Sequence, residues 1–287
     1  MLKNYLKISI RNLIKNKGFT FINILGLSMG VCTFLLISLY VLDELSFDNF
    51  HKNGDRIYRI NADINFGGKY KETAEASDPL GFTLKKDYPI IENAVRFRRN
   101  GSRLVKKEGS NQNMDENAVI FADSTLFDVF TLPFIAGSPK TALCAPNSLV
   151  ITEKIALKYF NKTNVVGEVL ILDNKDTYKI TGVIKDIPHN SHFKFDFFLS
   201  MEGLEESKKG NFLSHNFNTY LLLKEGVNPN EVEEKFPQIL TTYLGPQAEQ
   251  TLGIKYEALI TQGAFIRYSL IPLKKIHLHS DRQGELE

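Results

Sequence analysis

The stretch Gly18–Leu42 (GFTFINILGLSMGVCTFLLISLYVL) decides how this chain is organised, because it holds 25 consecutive residues without a charged side chain. As a helix it would be roughly 37 Å long at about 1.5 Å per residue, enough to cross a hydrocarbon core of about 30 Å. A cleaved signal peptide is the alternative, but its apolar part would span about 7 to 15 residues and end at a site of small residues. No such site precedes the acidic residues that follow. The sequence therefore predicts an uncleaved transmembrane helix over residues 18–42.

The residues before this stretch are strongly basic. Residues 1–17 carry five positive charges and no negative one, although the whole chain has a net charge of only +2; the basic residues are Lys3, Lys7, Arg11, Lys15 and Lys17. Basic flanks stay in the cytoplasm, which predicts a cell inner membrane protein with residues from about 43 onward in the periplasm. The four-residue spacing of the basic residues predicts a cytoplasmic amphipathic helix on the membrane lipid. The small net charge gives no indication of a nucleic-acid partner.

Two glycines within the predicted transmembrane helix form a G-x-x-x-G pair, Gly26 and Gly30. Small residues at this spacing let another helix approach closely, although glycine is common in such helices and the pair can be incidental. The two cysteines, Cys32 and Cys144, fall inside and outside the membrane segment. They are therefore not expected to form an intramolecular disulfide.

The chain after residue 42 predicts an α+β domain, and its composition of 43% hydrophobic and 24% charged residues excludes a wholly disordered chain. Alternation over residues 58–64 predicts a half-buried strand. A helix through Leu80 and Leu84 follows, with Asp78 as its N-cap, and a strand over 94–104 completes a β-α-β unit.

A second β-α-β unit is predicted near the end of the chain. Strands are expected at 217–223 and 266–273. Between them Asn228-Pro229 opens a helix with Glu231 in a capping box, and Pro237 should kink that helix. Two such halves, 43–107 and 213–280, predict a split ferredoxin-like α/β sheet.

The region between these halves, residues 108–212, has a different pattern. A short helix follows residues 150–152, and strands at 169–172 and 178–184 predict a hairpin. This region is expected to form an inserted, β-rich subdomain.

Catalytic motifs are absent from the sequence. It contains no P-loop, no G-x-G-x-x-G, no G-x-S-x-G and no H-E-x-x-H. The histidine pairs His189/His192 and His277/His279, the latter expected to alternate on a strand, lack a cysteine or carboxylate that would complete a metal site. A cluster of arginines is expected on a solvated strand face, where it could contact a partner: Arg96, Arg98, Arg99 and Arg103. We predict no enzyme activity and no catalytic, cofactor-binding or metal-binding residue.

Several long motifs nevertheless give the chain a family resemblance. The run 42–59 (LDELSFDNFHKNGDRIYR), directly after the apolar stretch, resembles the start of a MacB/FtsX-type ABC transporter permease of the kind found in Bacteroidetes. Four further segments resemble the same family in the same order: 12–30, 123–130 (DSTLFDVF), 183–196 (VIKDIPHNSHFKFD) and 276–280 (IHLHS). The resemblance covers essentially the whole chain.

The resemblance implies a function that the residues alone do not. Such permeases carry a periplasmic core domain with a porter-like part and an inserted, smaller "sabre" part. Two permease copies are driven by a separate cytoplasmic ATPase subunit, which binds the ATP, and some work with periplasmic adaptors or outer-membrane partners in export. Movement of the helices is relayed to the periplasmic domains.

Family members continue with three further transmembrane helices, so residues 281–287 are expected to begin the connection to a second one. The sequence leaves two readings open. The first is a permease subunit, complete or as an N-terminal fragment. The second is a stand-alone membrane-anchored binding or scaffold domain without transport activity. No motif indicates the substrate.

Overall fold

The computed structural model describes residues 2–286, and the chain divides between Ser46 and Phe47 into two compact units. The first unit contains α1 (Leu2–Lys15) and α2 (Lys17–Glu44). The 28 residues of α2 are long and apolar enough to cross a membrane, and none of them is buried, which distinguishes α2 from the core helix of a soluble protein. The predicted helices are confirmed, with α2 slightly longer than expected.

The second unit is built on one large mixed sheet. Its helices are α3 (Leu80–Asp87), α4 (Leu126–Val129), α5 (Glu153–Phe160), α6 (Pro229–Glu233), α7 (Phe236–Ile239), α8 (Gly245–Leu252), α9 (Tyr256–Thr261) and α10 (Ile276–His279). Its strands are β1 (Ile57–Phe66), β2 (Lys69–Thr73), β3 (Ala76–Ser77), β4 (Ile91–Arg99), β5 (Arg103–Lys107), β6 (Met114–Glu116), β7 (Val119–Ala122), β8 (Phe134–Gly137), β9 (Ser148–Thr152), β10 (Val169–Leu172), β11 (Asp176–Ile184), β12 (Phe197–Ser200), β13 (His215–Leu223) and β14 (Phe265–Pro272).

The strand order is β14-β1-β13-β4-β7-β12-β9-β11-β10-β5-β6, with β2, β3 and β8 attached to β1, β13 and β11. Within this sheet β9 and β11 pair in parallel, as do β7 and β12, and the other pairs are antiparallel. The two strands predicted for the second β-α-β unit, β13 and β14, both flank β1. The α+β class is confirmed. The subdomain boundaries at 108 and 212 remain predictions.

Strand β1 is buried on both faces, which corrects the expectation of a half-buried strand. Ile60 and Ala62 face a core formed with α3 and α6 to α9, as predicted. Arg59 and Asn61, on the opposite face, are also buried. The alternation of polar and apolar residues predicted that Arg59 and Asn61 face solvent. It gave no information about the polar partners that distant parts of the chain supply to this face.

The segment predicted as one strand over 94–104 is two strands. A break at Asn100–Ser102, with Gly101 at a φ of +69°, separates β4 from β5. A positive φ of this kind favours glycine, and it redirects the chain so that β4 pairs with β13 and β7 while β5 pairs with β10 and β6.

Helix starts were predicted with mixed success. Asn228 caps α6 in a complete capping box with Glu231, as expected. Pro237 lies in the first turn of α7, and the predicted helix is interrupted by a turn at residues 234–235, just before it. From Phe236 the chain stays helical through a π-helical turn into α8. The prediction that Asp78 caps α3 is wrong, because that carboxylate bonds an arginine instead.

The hairpin of β10 and β11 is confirmed. Its turn places Asp173 and Asn174 at φ values of +53° and +58°. Asp and Asn tolerate this left-handed region better than most residues, so these two side chains select the tight turn. The strand predicted around His277 and His279 is wrong, since both residues lie on α10.

Candidate functional site

A row of polar side chains, all buried except the partly exposed Glu285, connects the first residues of the second unit to residue 285. It consists of Asp48, His192, Tyr220, Arg59 and Glu285, and it is called the polar column below. Four elements position its first four residues: the loop after α2, the loop before β12, and the central strands β1 and β13. The remaining column residue, Glu285, lies beyond the final helix α10.

Asp48 begins the column only four residues after the end of α2. Its φ of +58° is unusual for a residue with a Cβ, and its N–H donates to the carbonyl of Asn190 at 2.8 Å. The side chain is fully buried, and one carboxylate oxygen lies 2.9 Å from Nδ1 of His192. The other oxygen accepts from the backbone N–H of His192 at 3.3 Å. Asp48 therefore fixes the loop around His192.

His192 connects Asp48 to the sheet. Its Nε2 lies 2.8 Å from the hydroxyl of Tyr220 on β13. Because Nδ1 faces the carboxylate of Asp48, the arrangement assigns the ring proton to Nδ1 and makes Nε2 the acceptor of the Tyr220 hydroxyl. Complete burial raises the pKa of Tyr220 above its usual value, so this hydroxyl keeps its proton.

Arg59 is fully buried and forms the far end of the column. Its positive charge acts on the Tyr220 hydroxyl, where it opposes the rise in the pKa caused by burial, and its Nε donates to Oδ1 of Asn61 at 3.0 Å. Its guanidinium grips the carboxylate of Glu285 through both terminal nitrogens, one contact measuring 2.9 Å, and also donates to the Ser280 hydroxyl at 2.7 Å. Removing one partner of a buried ion pair leaves the other charge unpaired, which lowers the free energy of unfolding by about 3–5 kcal/mol. Glu285 is therefore held against the sheet.

The residues around Glu285, 281–286, pack against the rest of the second unit. Gln283 forms a bridge with Thr73 and accepts from the N–H of Ala74 at 2.9 Å, and Leu286 is buried in the core. The expectation that residues 281–287 begin a connection to a second membrane helix is not tested by these contacts.

His51 borders the column without joining its hydrogen bonds. Its Nδ1 accepts from the N–H of Thr131 at 3.0 Å, which places the ring proton on Nε2. This buried Nε2 has no hydrogen-bond partner among residues 2–286, and lies 3.8 Å from Oδ1 of Asp48. The rings of Phe130 and Phe193 surround it, and burial lowers its pKa to about 4.

A second buried cluster corrects the prediction for the arginines. Arg96 does not lie on a solvated face: its guanidinium is buried between the carboxylates of Asp78 and Asp123, the latter at 2.8 Å. The rings of Phe82 and Phe217 also lie within about 5.5 Å of it. Burial raises the pKa of Asp78, opposed by the positive charge of Arg96.

The other three arginines are more exposed. Arg98 pairs with Glu206 at 3.0 Å and Arg103 with Asp173 at 2.5 Å, while Arg99 lies over the ring of Phe195. These contacts hold surface elements together within the domain. Whether this face meets a partner remains a prediction.

The structure separates the candidate histidines. His192 is buried in the polar column, whereas His189 is exposed; His277 stacks on Phe47 with ring centroids 3.4 Å apart, whereas His279 is exposed. Across residues 2–286, no group of three or more His, Cys, Asp or Glu side chains is placed to hold a metal ion.

Gly26 and Gly30 lie on α2 with open space around them. A Cβ built at either position would meet nothing within 4 Å in the described chain. Their predicted role in helix packing is therefore untested.

The polar column was missed from the sequence, apart from His192, which was considered only as a metal ligand. Arg59 offered one signal, because an arginine in the middle of an otherwise buried strand requires a partner. Chemically, the column places charged and hydrogen-bonding groups at fixed positions in the interior of the domain.

Comparisons with known proteins agree with this architecture. A profile of the MacB-like periplasmic core domain matches residues 20–239. A crystal structure of a domain from a protein described as a permease of Porphyromonas gingivalis superimposes with a TM-score of 0.65 at 23% identity, covering 77% of this chain and 91% of that one. No curated protein matches the chain significantly.

Two further solved structures overlap less closely. The periplasmic region of MacB from Actinobacillus actinomycetemcomitans gives a TM-score of 0.49 at 14% identity, covering 78% of this chain and 91% of that one. The extracellular domain of the ABC-type transporter YknZ from Gram-positive bacteria gives 0.45 at 14% identity, covering 75% and 99%.

Proposed function

Because this chain belongs to the family of proteins with a MacB-like periplasmic core domain, we propose that it is the permease subunit, or the N-terminal part of one, of an ABC-type export system. In this proposal a separate cytoplasmic ATPase subunit binds ATP and moves the membrane helices. The domain after residue 46 lies in the periplasm and relays that movement. The chain itself carries out no chemical step.

The observation that carries the proposal is the continuity from α2 into the polar column. Only Leu45 and Ser46 separate the end of α2 from Phe47, which stacks on His277 of the second unit. The next residue, Asp48, is fully buried and bonded to His192. The chain therefore reaches a buried residue of the core within four residues of the end of α2.

The column extends this connection through the sheet. Through Tyr220 and Arg59 it reaches Glu285, so the entry and the end of the domain share one line of hydrogen bonds and ion pairs. Charged hydrogen bonds of this kind are the strongest that a fold offers. The column is therefore suited to transmitting a mechanical force.

The membrane arrangement follows the charge pattern. The basic face of α1 lies on the lipid of the inner leaflet, α2 crosses the inner membrane, and Gly26 and Gly30 offer a close-packing position for another helix. Two permease copies then act with one ATPase pair, with a periplasmic adaptor or outer-membrane protein as a further partner.

The test is affinity purification of the tagged chain from its native membranes in mild detergent. An ABC ATPase subunit is expected to co-purify, and mass spectrometry identifies it. The control is the same tag on a chain in which Lys3, Lys7 and Arg11 remain but residues 18–42 are replaced by the membrane helix of an unrelated single-span protein.

An ATPase that co-purifies with the native helix and not with the replaced helix supports the proposal. If no ATPase is recovered with the native chain, while the domain remains folded in the membrane, the proposal fails and the stand-alone anchored domain becomes the better account.

A further inference from the structure

A cavity of about 380 Å³ lies at one edge of the sheet, apart from the polar column. The ends of β1 and β14 form one wall, and α8 and α9 form the other. Its lining is mainly apolar and includes Ile64, Phe66, Leu244, Ala248, Leu252 and Leu259. Volumes of this size and apolar linings are typical of sites for small ligands.

Two polar side chains of the wall, Asn65 and His215, are already hydrogen-bonded within the protein. Asn65 donates to the carbonyl of Gly263 at 2.9 Å, and Nε2 of His215 lies 2.8 Å from the hydroxyl of Tyr268. Burial lowers the pKa of His215 to about 4, so this ring is neutral at ordinary pH. Neither side chain offers a charge to a ligand.

Lys71 is the lining residue that carries a formal charge. Its side chain is 41% exposed, and its ammonium lies 3.6 Å from the carboxylate of Glu75. An exposed pair at this distance contributes little to stability, so Lys71 can exchange it for another anion. Lys71 itself lines the cavity.

The mouth of the cavity exposes apolar surface. Phe66 is 51% exposed and Leu252 is 42% exposed, and both line the cavity. Exposed apolar side chains around an apolar cavity are typical of binding sites. A ligand chain entering here would remove this surface from water.

The size of the cavity limits the length of such a chain. A volume of about 380 Å³ holds roughly a dozen water-sized groups at about 30 Å³ each. Methylene groups are of similar size. An unbranched apolar chain of medium length therefore fits, whereas a two-chain phospholipid is too large to enter completely.

We propose that this cavity binds a single-chain anionic amphiphile, a free fatty acid of medium length, with its apolar chain between the sheet and α8/α9 and its carboxylate at Lys71. Charge complementarity selects the acid over a neutral alcohol. This inference goes beyond the proposed transport role and does not depend on it.

The experiment uses the full chain in nanodiscs and a dodecanoic acid that carries a photoreactive diazirine near its methyl end. After illumination, mass spectrometry maps the labelled residues. Saturable labelling of the segment 244–252 is expected, and unlabelled dodecanoic acid should compete for it better than dodecanol does. Saturable labelling that dodecanol prevents equally well would refute the assignment of the carboxylate to Lys71.

Substitutions at the cavity provide the decisive comparison. Leu252→Glu, at an exposed position, places a negative charge at the mouth and should weaken binding roughly fivefold or more, while Leu252→Gln should weaken it less. Ala248→Trp fills the cavity and should weaken binding roughly tenfold or more if the domain still folds. The matched control is Leu157→Glu on α5, where the leucine is 45% exposed and far from the lining residues.

Two outcomes overturn the proposal. Labelling that does not saturate, or that occurs on α2 alone, would show that the probe reports only its partition into the bilayer. Labelling of 244–252 that is unchanged by Leu252→Glu would place the ligand elsewhere. A phosphatidylcholine with the same diazirine serves as a further arm, and equal labelling by it would contradict a site for a free acid.

Discussion

His51 should make the stability of the second unit, residues 47–286, depend on pH, and replacing it should remove part of that dependence. The ring is buried among phenylalanines, and Nδ1 accepts from the N–H of Thr131. Protonation would force Nδ1–H against that N–H. Burial is the largest cause of the lowered pKa of about 4, and the negative charge of Asp48 opposes it.

The sign and size follow from the two states of the chain. The unfolded chain protonates His51 as the pH falls through about 6.5, whereas the folded domain keeps it neutral down to about 4. The unfolded state then binds more protons, so the free energy of unfolding decreases as the pH falls through this window. The full difference corresponds to about 3 kcal/mol. His215, with a pKa also lowered to about 4, contributes in the same direction.

The assay compares wild type with His51→Asn. Asn can present its side-chain oxygen to the N–H of Thr131 but does not titrate. Urea unfolding of the full chain in detergent micelles, followed by circular dichroism from about pH 7.5 to about pH 4.5, measures the free energy of unfolding of each variant. His51→Asn is expected to be less stable near neutral pH because ring packing is lost.

The informative quantity is the pH dependence rather than the absolute stability. Across the window, wild type should lose up to about 3 kcal/mol more than His51→Asn. His279→Asn is the matched control, because this histidine is exposed in the folded domain. Equal pH slopes for wild type and His51→Asn would refute the reasoning.

Three further predictions concern the stability of the domain. Arg96→Met should lower the free energy of unfolding by about 3–5 kcal/mol, because it leaves two buried aspartates without their cation; a loss below about 1 kcal/mol would mean that the pair behaves as an exposed one. Asn228→Ala should cost about 1 kcal/mol through the lost helix cap, measured by the same unfolding curves, and no change would show that the cap is dispensable. Gly182→Ala should lower the free energy of unfolding by about 1–3 kcal/mol, because the added Cβ would lie 2.5 Å from the ring of Phe134. A melting temperature equal to that of the wild type would contradict this clash.

Local sequence signals predicted the elements that they determine locally. The uncharged stretch predicted α2, the Asn228–Glu231 spacing predicted a capped helix, and the Asp173–Asn174 pair marked a tight hairpin turn. In each case the decisive residues lie within a few positions of one another. No distant part of the chain is needed to explain them.

The buried polar groups could not be predicted in the same way. Arg96 looked like a residue on a solvated strand because alternation gives no information about Asp78 and Asp123, which lie 18 and 27 positions away. Arg59 and Glu285 are 226 positions apart. Such pairs depend on the topology of the sheet, and for this reason the polar column emerged only with the fold.

The most direct test of the transport account is amide hydrogen exchange of the complex purified with its ATPase, with and without ATP and vanadate. The account predicts that trapping the ATPase changes exchange in residues 47–51 and 190–193, where the chain passes from α2 into the polar column. Asp48→Asn should reduce that change, because Asn keeps the backbone conformation but loses the carboxylate that holds His192. Asp55→Asn, at a side chain that is 85% exposed, should leave it intact. Identical exchange in every nucleotide state would contradict the claim that this domain relays movement driven by ATP.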